Sequence, residues 1–476
     1  MIVSITGRRH RLSIRYFRSI IMGERYHFIG IGGIGMSGIA RLLLGAGCRV
    51  SGSDAKENAM TKLLAKQGAR IFIGHDARNV PDADYVVYSS AVKEDNPEIR
   101  EARRRGIPVI QRAEALAQLM RDKKVICVAG SHGKTTTTSL AAHMLLEAGL
   151  SPTVVIGGNL KNIDANAAAG AGEFFCAEAD ESDGSFLHYS PLYSVITNID
   201  REHLDHYRTF DAVIAAYSEF MSRTRPQGCL FCCGDDENLV RLCRASKRRH
   251  VLFGFGEACG MTARNIRIEG LSSVFDCVYE GAPAGSFHLS AGGLHNISNA
   301  LAVIALGIEL KIDAGTIGRA LATFQGAGRR LDIKWHDKDC MIIDDYAHHP
   351  TEIRATLAAV RHLSCKRLVA VFQPHRYSRT KLLLDDFARC FGDADRVVLT
   401  DIYPASEPPV PGVDAGLVAS AIRGYAPDKP VDVVPKHELM GYVRRIIASG
   451  DIVLMLGAGD ITRISDELAV ELSRTH

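Results

Sequence analysis

Short apolar runs recur along the chain, and most of them end in glycine or in polar side chains. Runs of this length bounded by turn residues are typical of strands buried in a parallel sheet. Stretches with helical spacing lie between them, so the sequence predicts an α/β protein. The runs predict strands at Tyr26–Ile31, Arg70–Ile73, Tyr85–Tyr88, Val125–Ala129, Phe174–Ala177, Val195–Asn198, Leu230–Cys233, Val251–Phe255, Met341–Asp344, Leu368–Phe372, Arg396–Leu399, Val431–Val434 and Ile452–Leu456.

Three sections of the chain repeat this alternation of strands and helices, and they predict three domains. Residues 23–120 form a Rossmann-like domain, residues 121–328 a central P-loop ATPase-like domain with a mainly parallel sheet, and residues 329–476 a second Rossmann-like α/β domain. Within the central section, Arg264–Ser290 alternates polar and apolar residues, which predicts a β meander. The glycines of Gly326–Arg330 (GAGRR) predict a hinge before the last domain.

The composition is that of a soluble globular protein, with 46% apolar residues and a net charge of +3. Residues 1–22 hold five arginines and no acid, so the rest of the chain is slightly acidic and nothing points to nucleic acid. No apolar run approaches the roughly 18–20 residues of a membrane span, and this basic leader lacks the apolar core of a secretory signal. A translation start assigned too early explains the leader more simply than a transit peptide does, which makes Met22 the expected first residue.

Twelve cysteines raise the question of a metal site or of disulfides. Cys229, Cys232 and Cys233 supply one CxxC, but no second pair stands at zinc-finger spacing. Most of the others lie in apolar segments, such as Cys127 in VICVAG. We therefore expect buried free thiols in a reducing cytoplasm.

The stretch Lys124–His143, KVICVAGSHGKTTTTSLAAH, carries the sharpest chemical signal. A buried strand, a glycine turn and a helix form a phosphate cradle, because backbone N–H groups and the helix N-terminus face the anion. Lys134 can reach the outer phosphates, and the Thr135 hydroxyl can bind Mg²⁺. A helix start without a ligand is the alternative, but four consecutive threonines are poor helix formers. The pattern predicts a nucleoside triphosphate site at Gly130, Ser131, His132, Gly133, Lys134, Thr135 and Thr136.

A second glycine loop follows the first predicted strand. Gly30, Gly32 and Gly35 match GxGxxG, and Asp54 follows nineteen residues after the last of these glycines. This pattern is a dinucleotide-binding fingerprint, in which the acid, here Asp54, holds a ribose hydroxyl. Alone it is a weak signal and predicts only a site for some nucleotide diphosphate. The pair Ser89–Ser90 directly follows another strand, at the sheet edge where ligands bind.

Polar clusters also follow strands of the central and last domains. The acidic run Glu178–Asp183 (EADESD) is usually a solvated face, but at the end of a buried strand beside the cradle it suits a Mg²⁺ ligand. Thr197–His206 (TNIDREHLDH) contains two histidines at a spacing of three. Surface positions would explain these histidines nearly as well as a ligand role does. In the last domain, Asp344–Pro350 (DDYAHHP) and Gln373–Arg379 (QPHRYSR) follow strands. The two arginines of the latter are suited to a carboxylate.

An apolar helix is predicted at Gly293–Leu310, and Asn296 and Asn299 lie one turn apart near its start. They can cap the helix or read a purine edge, and the sequence alone favours capping. A triphosphate cradle, a diphosphate loop and arginines for a small carboxylate together predict an ATP-dependent amide ligase.

Eight ordered motifs resemble those of the Mur ligase family, from about Arg25 to about Leu468. The shortened glycine loop of the cradle is itself the family's form. The resemblance implies an ATP-dependent ligase that joins L-alanine to the lactoyl carboxylate of UDP-N-acetylmuramate through an acyl phosphate, in peptidoglycan precursor synthesis. The motifs are GIGGIGMSG, AGSHGKTTTT, EADESD, TNIDREHLDHY, HNISNAL, GAGRR, DDYAHHPTEI and FQPHRYSRT.

The resemblance also implies roles for individual residues. Thr135, Glu178 and His203 would bind Mg²⁺ at two sites. The implied catalytic set is Lys134, His203, His348, Arg376 and Arg379, of which the last three would receive L-alanine. Adenosine and its phosphates would add Asn296, Asn299, Arg330 and Asp345 to the cradle. The sugar nucleotide would contact Gly32, Gly33, Ile34, Gly35, Met36, Ser37, Asp54, His75, Ser89, Ser90, Asp180, Glu181 and Ser182.

Three alternatives stay open. A recycling ligase, which joins a whole tripeptide to the same nucleotide sugar, shares the motifs of the first two domains but not the HRYSR cluster. An NAD-dependent oxidoreductase would use GxGxxG and leave the cradle without a role, and a non-catalytic nucleotide-binding regulator would lack the metal ligands. Sister ligases that add later residues use a modified lysine where this chain has none, since no lysine occurs from Asn162 to Ser246. We expect a cytoplasmic monomer or homodimer acting on small molecules.

Overall fold

The computed structural model describes residues 23–89, 91–337 and 340–475. The expectations for the basic leader at 1–22 and for Ser90 lie outside the described residues. Within the described part of the chain, no helix combines the length and the apolar character that crossing a membrane requires.

The first sheet has five strands in the order β3-β2-β1-β4-β5, and all neighbouring pairs are parallel. Its core is built from the apolar runs that follow the leader, and helices connect the strands. The strands are β1 (Arg25–Ile29), β2 (Arg49–Asp54), β3 (Arg70–Ile73), β4 (Tyr85–Tyr88) and β5 (Val109–Gln111), and the helices are α1 (Ile34–Gly45), α2 (Ala59–Lys66), α3 (Pro97–Arg104) and α4 (Arg112–Met120).

The second sheet has ten strands in the order β15-β14-β13-β12-β11-β10-β6-β9-β7-β8. The strands are β6 (Lys124–Ala129), β7 (Thr153–Leu160), β8 (Ala165–Ala168), β9 (Phe174–Glu178), β10 (Tyr193–Ile196), β11 (Cys229–Cys233), β12 (His250–Phe253), β13 (Met261–Glu269), β14 (Ser272–Tyr279) and β15 (Ala282–Leu289). The helices are α5 (Lys134–Glu147), α6 (Leu204–Tyr207), α7 (Phe210–Ser222), α8 (Glu237–Ser246), α9 (Leu294–Glu309) and α10 (Ala314–Ala322). The predicted meander corresponds to β13–β15.

The third sheet has six strands in the order β16-β17-β21-β18-β19-β20, parallel except for the edge strand β16. The strands are β16 (Asp332–His336), β17 (Cys340–Asp345), β18 (Arg367–Phe372), β19 (Arg396–Leu399), β20 (Val431–Val433) and β21 (Asp451–Leu456). The helices are α11 (Pro350–Arg361), α12 (Tyr377–Leu382), α13 (Leu384–Arg389), α14 (Ala415–Tyr425), α15 (Lys436–Ile446) and α16 (Ile461–Thr475).

Strand β18 shows why these apolar runs become central strands. Leu368, Ala370 and Phe372 pack into one buried cluster, whereas Val369 and Val371 pack into another. Successive side chains of a strand point to opposite faces, so a sheet covered by helices on both faces needs apolar residues at every position. The predicted three-domain α/β fold with parallel-rich sheets is confirmed.

The contacts group the described residues into two compact units. The first unit comprises the described residues up to Ala263 together with Cys277–Gly285 and Ser298–Thr323, and it holds the first sheet and most of the second. The second unit comprises Arg264–Asp276, Ser286–Ile297 and the described residues from Phe324 onward, and it holds the third sheet.

Candidate active site

The cradle lies at the carboxyl edge of the second sheet, where β10, β6 and β9 are neighbours. Gly130 directly follows β6 with a φ of +133°, and a Cβ there would lie 2.0 Å from Thr197 Oγ1. Gly133 has a φ of +82°, and its Cβ would lie 2.8 Å from Asn299 Oδ1. Both positions therefore require glycine, because the backbone is left-handed and the space for a side chain is already filled.

Lys134 opens α5 and bends back over the glycine turn. Its Nζ donates to Gly130 O at 2.6 Å, to Ser131 O at 3.2 Å and to Glu181 Oε1 at 2.7 Å. Burial alone would lower the pKa of Lys134, but the charges of Glu181 and of Asp180 raise it well above its usual value. The side chain is therefore a fixed cation at the mouth of the cradle.

Thr135 and Glu178 form a second polar pair beside the turn. The Thr135 hydroxyl donates to Glu178 Oε1 at 3.2 Å, and Glu178 Oε2 accepts from the backbone N–H of Gly157 at 2.8 Å. Burial raises the pKa of Glu178, although Lys134 and the N–H of Gly157 oppose the shift. Burial removes the water that would stabilise the ionised form of Glu178. A cation bound beside the carboxylate would therefore stabilise that form.

Glu181, Glu202 and His203 make a separate cluster whose ligand atoms all lie within 4.8 Å of one another. His203 Nε2 is 3.4 Å from Glu181 Oε1 and 3.7 Å from Glu202 Oε2. Burial would lower the pKa of His203, but its contacts with Glu181 and Glu202 raise it. Glu181 is 1% exposed, and among the described residues its Oε2 finds no hydrogen-bond partner. His203 also has a left-handed backbone, with φ +56°.

The loop after β10 supports the cradle from the neighbouring strand. Asn198 Oδ1 accepts from the backbone N–H of His132 at 2.8 Å, and Ser131 Oγ accepts from the N–H of Asp200 at 2.8 Å. His132 Nε2 lies 2.9 Å from Asp200 Oδ2. Thr136, on the first turn of α5, is half-buried. These bonds hold the glycine turn against the loop that follows β10.

The chemistry of these donors fits Mg²⁺. Magnesium prefers oxygen ligands and keeps several waters, and it is usually bound through one or two carboxylates together with substrate phosphates. A hydroxyl beside a buried carboxylate, as at Thr135 and Glu178, meets that description. The unpartnered buried oxygen of Glu181 beside Glu202 and His203 is a second place where a cation would be stabilised.

The glycine loop of the first sheet is braced by the residue predicted to hold the ribose. Asp54 Oδ2 accepts from the N–H of Gly32 at 2.8 Å, and a Cβ on Gly32 would lie 2.9 Å from the same oxygen. A Cβ on Gly35 would lie 2.2 Å from Arg112 Nη1. Gly33 precedes α1, which begins at Ile34, and the side chains of Met36 and Ser37 are buried within the fold. Those two can therefore contribute to a ligand mainly through backbone groups.

Other predicted contacts of the first unit lie around the same sheet edge and beside β9. His75 Nδ1 lies 3.0 Å from Ser53 Oγ and 2.9 Å from Glu98 Oε1, and Ser89 is half-buried after β4. Asp180 lies 3.4 Å from Arg112 Nη2 and accepts from the N–H of Ser182 at 3.1 Å. Burial would raise the pKa of Asp180, but Lys134 and Arg112 lower it.

In the second unit, Asp345 and its neighbours are tightly bonded at the end of β17. Asp345 is buried and accepts from the N–H of Leu331 at 2.7 Å and from the N–H of Ala347 at 2.9 Å. Burial raises the pKa of Asp345, against the lowering effect of the Arg330 charge. The Arg330 guanidinium stacks on the Tyr346 ring at 5.1 Å. His348 Nδ1 lies 3.2 Å from Glu352, which also lies 3.7 Å from Arg330.

The predicted arginines follow β18 and meet a histidine. Arg379 Nη1 is 3.1 Å from His375 Nδ1, and the His375 ring stacks on Tyr403 at 5.5 Å. His375 also packs edge-on against His348 at 5.5 Å. Arg376 has a φ of +67° and a ψ of 138°, an unfavourable conformation for a residue with a side chain. Its N–H donates to Tyr403 O at 2.8 Å, which holds that conformation.

Asn296 supports the start of α9, because its side-chain amide donates to Gly292 O at 2.8 Å. This bond ties the first turn of the helix to the preceding loop, but it is not a cap of a helix N–H, so the capping role stays a prediction. Asn299 is also buried, beside Gly133 as described above.

Comparison with known protein families adds a separate observation. The family model described as the Mur ligase family catalytic domain matches residues 25–124, the Mur ligase middle domain matches residues 128–307, and the Mur ligase glutamate ligase domain matches residues 329–459. The chain belongs to the Mur ligase family.

Individual relatives of this Mur ligase are similar over almost their whole length. A protein of Geobacter sp. strain M21, named UDP-N-acetylmuramate--L-alanine ligase, is 47% identical over 450 residues, which is 94% of this chain and 98% of that protein. A protein of Aquifex aeolicus with the same name is 46% identical over 452 residues, with the same two shares. The crystal structure of UDP-N-acetylmuramate-alanine ligase MurC from Thermotoga maritima superposes with a TM-score of 0.79 at 32% identity, covering 95% of this chain and 100% of that one.

A solved murein peptide ligase from Psychrobacter arcticus is also similar to this Mur ligase, with a TM-score of 0.69. It covers 94% of this chain and 99% of its own, but the identity is 24%, so the likeness concerns the fold alone.

Some site residues of this Mur ligase were not singled out by sequence reasoning. Glu202 joins His203, Asn198 fixes the cradle, and the Tyr207 hydroxyl donates to Glu181 O at 2.6 Å. All three lie inside or next to the TNIDREHLDHY motif, so the motif marked the segment but not these members. Glu98 follows Asn96 and Pro97 at a helix start, where an acid ordinarily serves the helix dipole, and nothing in its spacing indicates a buried partner.

Proposed function

We propose that this protein joins L-alanine to the lactoyl carboxylate of UDP-N-acetylmuramate with the consumption of ATP. The observation that carries the proposal is the cradle with its fixed cation Lys134, in a chain whose relatives of 46–47% identity are alanine ligases. The reaction supplies a precursor of peptidoglycan.

In the first step, an oxygen of the lactoyl carboxylate attacks the γ-phosphorus of ATP. The bond from that phosphorus to the β,γ-bridging oxygen breaks, which gives an acyl phosphate and ADP. Such a step is catalysed mainly by positioning and charge neutralisation. The N–H groups of the glycine turn and Lys134 would hold the phosphates, and Lys134 would offset the charge that collects on the leaving oxygen.

Thr135, Glu178 and His203 are the residues we propose to hold Mg²⁺, with Glu181 and Glu202 beside His203. The ion would neutralise the phosphate oxygens and bring two anions together. What this chain supplies is a set of buried oxygens and one imidazole nitrogen that are held in place without a ligand.

In the second step, the neutral amine of L-alanine attacks the acyl carbon. The tetrahedral intermediate releases an amine proton to solvent, and the bond from carbon to the phosphate oxygen breaks to give the amide and inorganic phosphate. We propose that Arg376 and Arg379 bind the carboxylate of alanine, because a guanidinium pairs with a carboxylate through two parallel bonds. His348 would lie beside the amino acid and is itself oriented by Glu352.

The remaining predicted contacts follow the same assignment. Asn296, Asn299, Arg330 and Asp345 would hold adenosine and its phosphates. The glycine loop Gly32–Ser37 would hold the diphosphate of the sugar nucleotide, with Asp54, His75 and Ser89 near the nucleoside. The domain boundaries at residues 120 and 328, a cytoplasmic location and a monomeric or dimeric state belong to the proposal as well.

The tripeptide-adding activity is the second candidate. It is weaker because relatives of 46–47% identity over 94% of this chain are named UDP-N-acetylmuramate--L-alanine ligase, whereas two solved murein peptide ligases share 24% and 30% identity with it. An NAD-dependent oxidoreductase would leave Lys134, Glu181 and His203 without a role.

The test is release of phosphate from ATP with UDP-N-acetylmuramate, with L-alanine, glycine, L-serine or the tripeptide added in separate reactions. We expect release that depends on L-alanine. Phosphate release with the tripeptide alone would show that the protein is a tripeptide-adding recycling ligase. Hydride transfer to NAD without phosphate release would overturn the ligase assignment.

A further inference from the structure

A buried acid in the first unit has two histidine partners that the ligation chemistry does not use. Glu98, on α3, has no exposed surface. Its Oε2 lies 2.7 Å from His27 Nε2, and its Oε1 lies 2.9 Å from His75 Nδ1. The Ser53 hydroxyl also bonds to Glu98 and lies 3.0 Å from His75 Nδ1.

The donors and acceptors of this network are fixed by its chemistry. Burial would raise the pKa of Glu98, but the bonds from His27, Ser53 and His75 lower it, so the group is an ionised carboxylate at neutral pH and can only accept. The nitrogen facing it from His75, Nδ1, must therefore carry the hydrogen. The neutral form of the imidazole has one hydrogen, so with that hydrogen on Nδ1 this form of His75 presents Nε2 as a bare acceptor.

His75 stands where this acceptor can reach a ligand. It follows β3 at the carboxyl edge of the first sheet, two residues after Ile73, and its side chain is 27% exposed. Ser53 and Asp54 end the neighbouring strand β2, and Asp54 contacts the glycine loop through Gly32. Among the described residues none bonds to Nε2 of His75.

We propose that His75 determines base specificity by accepting a hydrogen bond from the imide N–H of uracil, and that Glu98 is the positioning residue that fixes the tautomer needed for it. The inference rests on the proposed function, which places a uridine nucleotide at this sheet edge. Uracil carries a hydrogen on N3, whereas N3 of cytosine is an acceptor and would face the His75 acceptor without a hydrogen between them. The site thereby favours uridine over cytidine nucleotides.

The first measurement uses the unaltered protein. With ¹⁵N-labelled histidine, His75 is expected as the Nδ1–H tautomer, assigned by comparison with His75→Gln. A dominant Nε2–H tautomer would overturn the proposal whether or not any Glu98 variant folds.

The second measurement is calorimetric binding of UDP and of CDP. The parent is expected to bind UDP at least 10-fold more tightly than CDP, about the effect of one unpaired polar group. His75→Leu has no acceptor and is expected to lose that preference through weaker UDP binding. His75→Gln can turn its amide either way, so it is expected to bind UDP well and to discriminate less.

The positioning role of Glu98 is tested with Glu98→Met, which keeps the side-chain length and removes the acceptor. We expect a mixture of His75 tautomers, a lower UDP-to-CDP preference and an unchanged affinity for an ATP analogue, which a general folding defect would not leave intact. Equal UDP and CDP binding in a parent that turns over UDP-N-acetylmuramate would overturn this inference alone. Failure of the parent to use that substrate would instead overturn the proposed function.

Discussion

Lys134 lies among three carboxylates, and this setting governs what its removal does. Glu178, Asp180 and Glu181 all act on its charge, and the salt bridge to Glu181 is almost completely buried. Breaking a buried pair leaves one charge uncompensated, which is more costly than deleting both partners. We therefore expect removal of Lys134 to affect the stability of the fold and the proposed ligation separately.

For Lys134→Ala we expect ligation to fall by about 10³-fold, because a cation at the transferring phosphate is lost. The free energy of unfolding should fall by about 3 kcal/mol, since Glu181 stays buried without its partner. Phosphate release and urea unfolding are the two measurements.

The matched control is the double variant with Lys134→Ala and Glu181→Gln. It should recover part of the stability while ligation stays low. Near-normal turnover in a folded Lys134→Ala protein would contradict the assigned mechanism.

At the residue level, the sequence predicted which polar side chains lie at the same sheet edge, but it did not predict which of them pair with each other. Lys134, Thr135 and Glu178 follow strands, and strand ends in one parallel sheet share an edge. The pairing of Lys134 with Glu181, by contrast, depends on how the loop after β9 turns, with Ser182 and Asp180 bonding locally. The ribose contact expected of Asp54 stays a prediction, and its hydrogen bond to the glycine loop was not predicted.

At the level of elements, strand β7 has a function besides completing the sheet. Its backbone N–H at Gly157 donates to Glu178, and a Cβ on Gly157 would lie 2.5 Å from Glu178 Oε1. The absence of a side chain there lets the strand approach the carboxylate.

We expect Gly157→Ala to push Glu178 away from Thr135, which should raise the Mg²⁺ concentration needed for half-maximal activity by about 10-fold. The affinity for L-alanine should not change. Initial rates at varied Mg²⁺ and at varied L-alanine separate the two effects.

Gly424→Ala is the control for a glycine replacement as such. Gly424 is exposed on α14, and nothing lies within 4 Å of its added Cβ, so the change should stabilise the helix by up to about 1 kcal/mol and leave the rate unaltered. Equal Mg²⁺ dependence of the two variants would count against the role of Gly157.

Element prediction succeeded where apolar runs were continuous and failed where they were not. The strands at Arg70–Ile73 and Tyr85–Tyr88 match the structure residue for residue. Strands β7 and β8 were not predicted. Two glycines and an asparagine interrupt the apolar run of β7, β8 contains only alanine and asparagine, and the two strands pair with each other. The run at Val195–Asn198 begins two residues earlier in the structure and ends at Ile196, so Thr197 and Asn198 are free to serve the cradle.

At the level of the whole molecule, the burial of the cysteines indicates how well the cores exclude solvent. Ten are buried, and only Cys259 and Cys365 are partly exposed. Burial raises the pKa of the Cys48 and Cys176 thiols to about 12 and that of Cys259 to about 11. Since the thiolate is the reactive form, both burial and a raised pKa protect most of these thiols from modification.

We expect a disulfide reagent at pH 8 to modify Cys365 first and Cys259 more slowly, with the other thiols reacting only after denaturation. Following absorbance against time, with and without urea, gives the two populations. Cys365→Ser should remove the fast phase, and rapid reaction of many thiols in the native protein would contradict the closed core.

Arg376 has an unfavourable backbone conformation, and we propose that its side chain binds the substrate carboxylate. Under this proposal the residue lowers thermal stability and raises catalytic efficiency. Arg376→Gly should relieve the left-handed strain and stabilise the fold by about 1 kcal/mol, while the Michaelis constant for L-alanine rises steeply. Calorimetry would measure the gain in stability, and steady-state kinetics on the same preparation would measure the rise in the Michaelis constant. An enzyme optimised for thermal stability alone would carry glycine at this position, and under the proposed role the arginine gives up stability in exchange for binding of the amino acid.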